Sequence, residues 1–139
     1  MSTVGGEAVS AAPAVLDSRH MRRTDQHLDL GRFGEEYAAR HLIAQGFALL
    51  RRNWRSDAGE VDIVAALCGI TVLCEVKTRR GERFGHPMEA IDSRRLQRLA
   101  GAANCWLQEH PDDVVRIDAI AIQVLPEAIE LQHVAGVQW

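Results

Sequence analysis

Four charged residues lie within two apolar stretches of the sequence, GEVDIVAAL and ITVLCEVK. They are Glu60 and Asp62 in the first stretch, and Glu75 and Lys77 in the second. Short apolar runs rich in valine and isoleucine predict two strands that are buried on both faces. Charged side chains in such strands are costly unless they are paired or bind a ligand. These four residues are therefore the first candidates for a functional site.

The register of the predicted hairpin decides whether the charges meet. A turn at Cys68-Gly69 would place Asp62 opposite Glu75, and Glu60 opposite Lys77. Side chains two residues apart on a strand share a face, so all four charges would lie together at the open end of the hairpin. A slip of one residue would send one acid to the opposite face. The other face would carry only apolar side chains, namely Val61, Ile63, Ala65, Val72, Cys74 and Val76.

Two facing acids predict a cation site. In this register the Cβ atoms of Asp62 and Glu75 stand about 4.5–5.5 Å apart. Two carboxylates this close repel unless one is protonated or a cation lies between them. Mg²⁺ needs only one or two carboxylates, with water and substrate phosphate as further ligands. Lys77 would point at the same ion, where an ammonium orients or helps to deprotonate water and offsets transition-state charge.

Lys77 is the only lysine among the sixteen basic residues of the chain. An arginine is a fixed cation, whereas the protonation of a lysine can be tuned by its surroundings. The choice of lysine at this position favours a chemical role. The alternative, a simple cross-strand ion pair between Glu60 and Lys77, stays open at this stage.

Length and composition predict one globular domain. The chain has 139 residues, is 47% hydrophobic and carries a net charge of −3. We assign the domain to residues 28–139, after a lead-in at 1–27 that is rich in small and polar residues and is expected to be flexible. Three cysteines without CxxC spacing are predicted to be small buried residues of a reducing cytosol: Cys68, Cys74 and Cys105. We expect no membrane span and no secretory signal, and hence a cytoplasmic protein without a membrane partner.

The hydrophobic pattern predicts an α/β fold with the element order αβββαββ. A helix is expected from Leu30 to Gly46, and a second helix over 87–110, opening at Pro87. Strands are expected at 47–54, 60–66, 71–77, 114–124 and 129–137. These elements would form a mixed central sheet flanked by helices.

Basic residues cluster in two places despite the negative net charge. Between Lys77 and Arg98 there are seven basic residues against three acidic ones. A second patch consists of Arg51, Arg52 and Arg55. Such patches bind phosphates in many proteins, although a merely solvated surface has the same composition.

Several motifs carry a family resemblance when they are taken in order. GRFGEEYAARHL, RRNWR, GEVDIV, CEVKTRR, RFGHPMEAI and RIDAIAI follow one another between about Leu30 and Val124. In this order the sequence resembles the YraN family of small bacterial proteins. That family is similar to archaeal Holliday-junction resolvases and to the wider PD-(D/E)xK nuclease superfamily. The resemblance implies a restriction-endonuclease-like core and a Mg²⁺- or Mn²⁺-dependent endonuclease acting on DNA, including branched DNA, as a homodimer.

The resemblance also implies roles for individual residues. Asp62 and Glu75 would be the metal ligands, Lys77 the catalytic lysine, and Glu35 the acid that the first helix adds to the site. The proline that names the superfamily is replaced by Val61 here.

Three arginines would contact nucleic-acid phosphates by the same resemblance. Arg79 and Arg80 match the basic pair that follows the lysine, and Arg95 stands on the second helix where relatives often have lysine. Two alternatives to an enzyme remain. One is a non-catalytic nucleic-acid-binding module for repair, recombination or transformation, and the other is a structural protein with a buried ion-pair cluster.

Overall fold

The computed structural model describes residues 8–10, 26–81, 89 and 91–137, which form six strands and two helices. The predicted order αβββαββ is confirmed, and one short strand precedes it. The α/β fold class is therefore confirmed. The elements are β1 (Ala8–Ser10), α1 (Gln26–Ala44), β2 (Ala48–Ser56), β3 (Gly59–Leu67), β4 (Ile70–Arg80), α2 (Ser93–Glu109), β5 (Val114–Val124) and β6 (Ile129–Val134).

All six strands belong to one mixed sheet with the order β1-β6-β5-β4-β3-β2. Neighbouring strands are antiparallel except β4 and β5, which run parallel from the pair Ile70–Val114 to the pair Arg80–Val124. A parallel pair needs a long crossover connection, and the segment that contains α2 supplies it. β4 is thus a central strand, paired on both sides.

The two faces of the sheet bury separate apolar clusters. On one face, α1 packs through Ala38 and Leu42 against residues such as Ile63 and Cys74. On the other face, α2 packs its buried stripe against the sheet, and the members of this second cluster include Val61, Val64, Leu73, Leu99, Ala103, Trp106 and Ile117. Neither helix in the described residues is both long enough and apolar enough to cross a bilayer.

The β3–β4 hairpin has the predicted register from Ile63–Cys74 to Leu67–Ile70. Its two turn residues, Cys68 and Gly69, both have positive φ, of 50° and 79°. This is the backbone of a type I′ turn, which suits the twist of a two-residue hairpin. Cys68 is exposed at this turn, so its prediction as a buried residue is wrong, whereas Cys74 is buried as expected.

The predicted alternation of faces fails at Val61. Val61 packs in the cluster beneath α2, whereas Ile63 packs in the cluster beneath α1. The change coincides with two irregularities of the sheet. β3 separates from β4 beyond the pair Ile63–Cys74, and on β2 Asn53 has φ 50° between the cross-strand pairs Arg52–Ile63 and Trp54–Val61.

The helix boundaries differ from the predicted ones. α2 begins at Ser93 because Asp92 caps it: the Asp92 side chain accepts a hydrogen bond from the backbone N–H of Arg95, at 2.9 Å. The predicted start at Pro87 lies outside the described residues, as does most of the predicted lead-in. Within that lead-in, β1 pairs with β6, and α1 already begins at Gln26.

Candidate active site

One cavity brings together five of the residues to which the sequence analysis assigns a role. It has a volume of about 260 Å³ and lies where β3 separates from β4, between the first half of α1 and the first turn of α2. The residues that line it are Leu30, Gly31, Glu35, Asp62, Glu75, Val76, Lys77, Thr78 and Arg95. All four predicted catalytic residues are in this set, together with Arg95.

Asp62 is held in the cavity by the end of the β3–β4 ladder. The last paired residues are Ile63 and Cys74. Two residues further along β4, the backbone N–H of Val76 donates a hydrogen bond to Asp62 Oδ2 at 2.7 Å. The carboxylate of Asp62 thus replaces a backbone partner and turns toward β4. This places it beside Glu75, as predicted, although through a local opening of the hairpin.

Glu75 is a buried acid without an adequate counter-charge. Its side chain is 5% exposed, and its nearest cation, Arg95 Nη1, lies 3.5 Å from Glu75 Oε2. Burial and then the neighbouring Asp62 carboxylate raise the pKa of Glu75 to about 8, against a smaller opposing effect of Arg95 and Arg98. Glu75 therefore keeps its proton more readily than an exposed glutamate, and a cation bound beside it would favour the ionised form.

Glu35 enters the cavity from α1. Its pKa is raised by partial burial and by the charge of Asp62, while Arg52 and Arg32 act in the opposite direction. The preceding residue, Gly34, allows this approach, because a Cβ atom at that position would lie only 2.7 Å from the Cβ of Thr78. The backbone of α1 at Gly34 packs directly against the Thr78 side chain of β4. A larger residue at position 34 would therefore displace the helix or Thr78.

Lys77 is half-buried and lines the cavity two residues after Glu75. Within the described part of the chain it forms no ion pair. Glu60, its alternative partner in the sequence analysis, instead lies 3.5 Å from Arg55 across the β2–β3 pair. The simple Glu60–Lys77 ion pair is therefore absent among the described residues, and Lys77 faces the acids with its ammonium group unpaired.

The three predicted phosphate-binding arginines occupy different positions. Arg95 lines the cavity and pairs with Glu75. Arg79 and Arg80 continue β4 beyond Lys77, beside Gln123 and Val124 of β5, and are not among the described residues that line the cavity. They lie two and three residues beyond Lys77, at the end of β4.

The donor set fits a hard divalent cation better than a closed structural site. Among the described residues, no group of three or more His, Cys, Asp and Glu side chains is close enough to hold a metal ion. Glu35, Asp62 and Glu75 are therefore not a three-ligand group in this arrangement, and the candidate ligands are Asp62 and Glu75. Two adjacent carboxylates with one arginine at 3.5 Å suit Mg²⁺ or Mn²⁺, which keeps water and substrate oxygens as its other ligands.

A second polar cluster was missed by the sequence analysis. Asp118 on β5 is fully buried and accepts hydrogen bonds from Arg116 Nε at 2.8 Å, His133 Nε2 at 2.7 Å and the Gly136 N–H at 3.0 Å. His133 Nδ1 in turn lies 3.2 Å from His41 Nε2 of α1. The sequence contained a sign of this cluster, since Asp118 interrupts the apolar run VVRIDAIAI much as Asp62 interrupts GEVDIVAAL.

Comparison with known proteins identifies the family. The family model described as "Uncharacterised protein family UPF0102" matches residues 34–122, a range that includes Glu35, Asp62, Glu75, Lys77 and Arg95. The chain belongs to the UPF0102 family. This is the YraN family, so the predicted family membership is confirmed.

Relatives in the UPF0102 family cover most of the chain. A UPF0102 protein of Clavibacter michiganensis is 51% identical over 68% of this chain and 81% of its own length. One from Frankia alni is 46% identical over 77% of this chain and 92% of its own. One from Streptomyces coelicolor is 45% identical over 78% and 87%. These names state no activity, so a function for the UPF0102 fold has to be argued from the cavity.

Proposed function

We propose that this chain is a metal-dependent endonuclease that hydrolyses phosphodiester bonds in DNA with Mg²⁺ or Mn²⁺. The observation that carries the proposal is the pair Asp62 and Glu75, two acids side by side in a cavity that also contains Lys77 and Glu35. A buried Glu75 beside the half-buried Asp62 costs stability in the absence of a cation, which favours a ligand-binding role over a purely structural one.

The four predicted catalytic residues of the cavity have separate roles in this proposal. Asp62 and Glu75 would hold the divalent cation, which when bound supplies Lewis acidity toward a phosphate oxygen and lowers the pKa of a bound water. The Lys77 ammonium would donate hydrogen bonds to phosphate oxygens on which negative charge grows in the transition state. Glu35 would accept a hydrogen bond from the attacking water and so orient it for in-line displacement.

The nature of the substrate rests on the family resemblance and on charge. Arg79 and Arg80 lie at the same end of the sheet as the cavity, where they would bind phosphates on one side of the scissile bond. Branched DNA and a homodimeric enzyme are implied by the likeness of the family to junction resolvases. Sedimentation of the free chain and of its complex with a four-way junction tests the dimer.

Cleavage assays test the enzymatic proposal. Linear, nicked and four-way-junction DNA would be incubated with Mg²⁺ or Mn²⁺ and with the wild type, Asp62→Asn or Lys77→Ala. We expect a loss of about 10²–10³-fold for each variant, the range found when one group that stabilises a transition state is removed. Asp112→Asn, at an exposed acid before β5, is the matched control and should cut like the wild type. Absence of cleavage, or variants as active as the wild type, would refute the proposal.

A non-catalytic nucleic-acid-binding module is the second candidate. It is favoured by one contact, the Arg95–Glu75 ion pair, because an arginine beside the acids offsets part of the charge that a metal would otherwise neutralise. This candidate predicts DNA binding by the wild type without cleavage on any of the three substrates. It also predicts that Asp62→Asn binds DNA at least as tightly as the wild type.

A further inference from the structure

Arg98 of α2 is an exposed arginine whose stem contacts the neighbouring turn, and whose guanidinium forms no ion pair with the described residues. A Cβ atom at Gly59 would lie 3.4 Å from Cδ and 3.8 Å from Nε of Arg98, so the aliphatic stem rests on the backbone of the β2–β3 turn. The helix is held against this turn by a second contact. A Cβ atom at Gly101 would lie 2.7 Å from the Cβ of Ala58.

The guanidinium of Arg98 has no acidic partner within the part of the chain that the structure describes. Three other arginines of this region do have one: Arg52 pairs with Glu36, Arg55 with Glu60, and Arg95 with Glu75. Arg32, whose charge acts on Glu35, shares the lack of an ion pair among the described residues but has no comparable support for its stem. An arginine whose stem is already ordered loses less side-chain entropy when its head binds a ligand. Its planar group of N–H donors matches a phosphate, to which it can bind in bidentate fashion.

The position of Arg98 relates it to the cavity. It lies three residues after Arg95, which on a helix means one turn further on the same side. The charge of Arg98 is close enough to Glu75 to oppose, by a small amount, the rise in the pKa of that carboxyl group. The cavity lies where β3 separates from β4. Arg79 and Arg80 follow Lys77 on β4, whereas Arg98 lies against Gly59 at the start of β3, on the other side of this opening.

We propose that Arg98 binds a backbone phosphate next to the phosphate held in the cavity, so that the bound DNA strand continues across the β2–β3 turn beside α2. This inference rests on the proposed function, because it takes DNA as the ligand. It adds a binding residue, and a direction for the strand, on the side of the cavity opposite to Arg79 and Arg80.

The salt dependence of DNA binding tests this assignment. Affinity of the full-length chain for a labelled duplex would be measured by fluorescence anisotropy between 50 and 200 mM NaCl, with Ca²⁺ in place of Mg²⁺. Each phosphate contact contributes about 0.9 to the slope of log affinity against log salt. We therefore expect the slope for Arg98→Gln to be smaller by about 0.9, and the advantage of the wild type to shrink about 3–4-fold across this salt range. Arg98→Lys keeps the charge and should keep the slope.

Arg40→Gln is the control, because Arg40 is an exposed arginine of α1 that has an acidic neighbour, Glu36, and lies away from the turn. Its slope should equal that of the wild type. If Arg98→Gln and Arg40→Gln give equal slopes, or if the wild type binds no DNA at 50 mM NaCl, the assignment of Arg98 is overturned. A reduced slope for Arg98→Gln in a protein that cuts no DNA would support the assignment while refuting the nuclease.

Discussion

Glu75 and Asp118 are both buried acids on neighbouring strands, and their pKa values shift in opposite directions. Burial acts to raise the pKa of Asp118, but hydrogen bonds from His133, Arg116 and the Gly136 N–H overcome it and leave the pKa below its usual value. Glu75 has a second acid beside it and one arginine at 3.5 Å, and its pKa rises to about 8. Burial is common to both, so the difference comes from the donors that surround each carboxyl group.

The comparison separates a structural acid from a candidate functional one. Asp118 uses its acceptor capacity within the chain and has nothing left for a ligand. Glu75 has acceptor capacity that the described residues do not fill. A buried acid that faces another acid is thus a better marker of a ligand site than burial alone.

The largest expected effect concerns stability at the two acids. Asp118→Asn should lower the free energy of unfolding by about 3 kcal/mol or more, since it removes the buried carboxylate that accepts hydrogen bonds from Arg116, His133 and the Gly136 N–H. Glu75→Gln should leave stability unchanged or raise it, because it removes the repulsion with Asp62. Urea unfolding monitored by circular dichroism measures both. Equal losses in the two variants would contradict the distinction between the sites.

Divalent cations should stabilise the folded protein through the Asp62–Glu75 pair and not through Asp118. Mn²⁺ at 100 times its dissociation constant should add about 2.7 kcal/mol to the free energy of unfolding of the wild type. Thermal melting with and without Mn²⁺, reversed by EDTA, measures this gain. Asp62→Asn should lose most of the gain, and Asp118→Asn should keep it. A wild type whose melting temperature ignores Mn²⁺ would point to a non-catalytic module or a structural cluster.

The close contact between α1 and β4 can be broken at one glycine. Gly34→Ala should cost about 1–3 kcal/mol, because the added methyl group overlaps Thr78. Gly31→Ala, one turn earlier, meets nothing within 4 Å and should stabilise the helix by about 0.5–1 kcal/mol. Adding Thr78→Gly to Gly34→Ala should restore part of the loss. If both alanine variants unfold at the same denaturant concentration, the contact is not as tight as described.

The smallest expected effect is the acid sensitivity of the Asp118 region. Burial and the neighbouring His133 lower the pKa of His41 below 6.5. The unfolded chain therefore binds a proton at His41 more readily, and stability falls as the pH drops below about 6.5 toward the pKa of the folded state. His41→Gln should flatten this part of the curve of stability against pH. His110→Gln, at the end of α2, should leave it unchanged.

The local sequence was sufficient to predict the β3–β4 hairpin, but not to predict the whole candidate site. The turn at Cys68-Gly69 predicts the register from Ile63–Cys74 to Leu67–Ile70. Beyond Ile63 the strands separate, Val61 changes face, and a hydrogen bond from the Val76 N–H holds Asp62 beside Glu75, which no periodic pattern encodes. The approach of Glu35 depends on the packing distance between a helix and a strand, and that distance is set by Gly34 against Thr78. Only the family resemblance could supply Glu35.

The Asp118 cluster was missed for a related reason. Its charged residues were visible in the sequence, but their partners come from three elements: Arg116 on β5, His133 on β6 and His41 on α1. Their meeting depends on the β5–β6 register, in which His133 lies beside Ile120, and on the position of the last turns of α1. A hairpin argument applied to β5 and β6 would have found part of it.

The chain connections around β4 also bear on the order in which the molecule assembles. β3 and β4 are joined by a two-residue turn, so their contacts form at little loop-closure cost and on the fastest timescale open to a hairpin. β5 can pair with β4 only after the long segment that contains α2 has crossed over the sheet. The two acids are therefore brought together early, while water still screens them, and their mutual repulsion grows only as the later elements close over them.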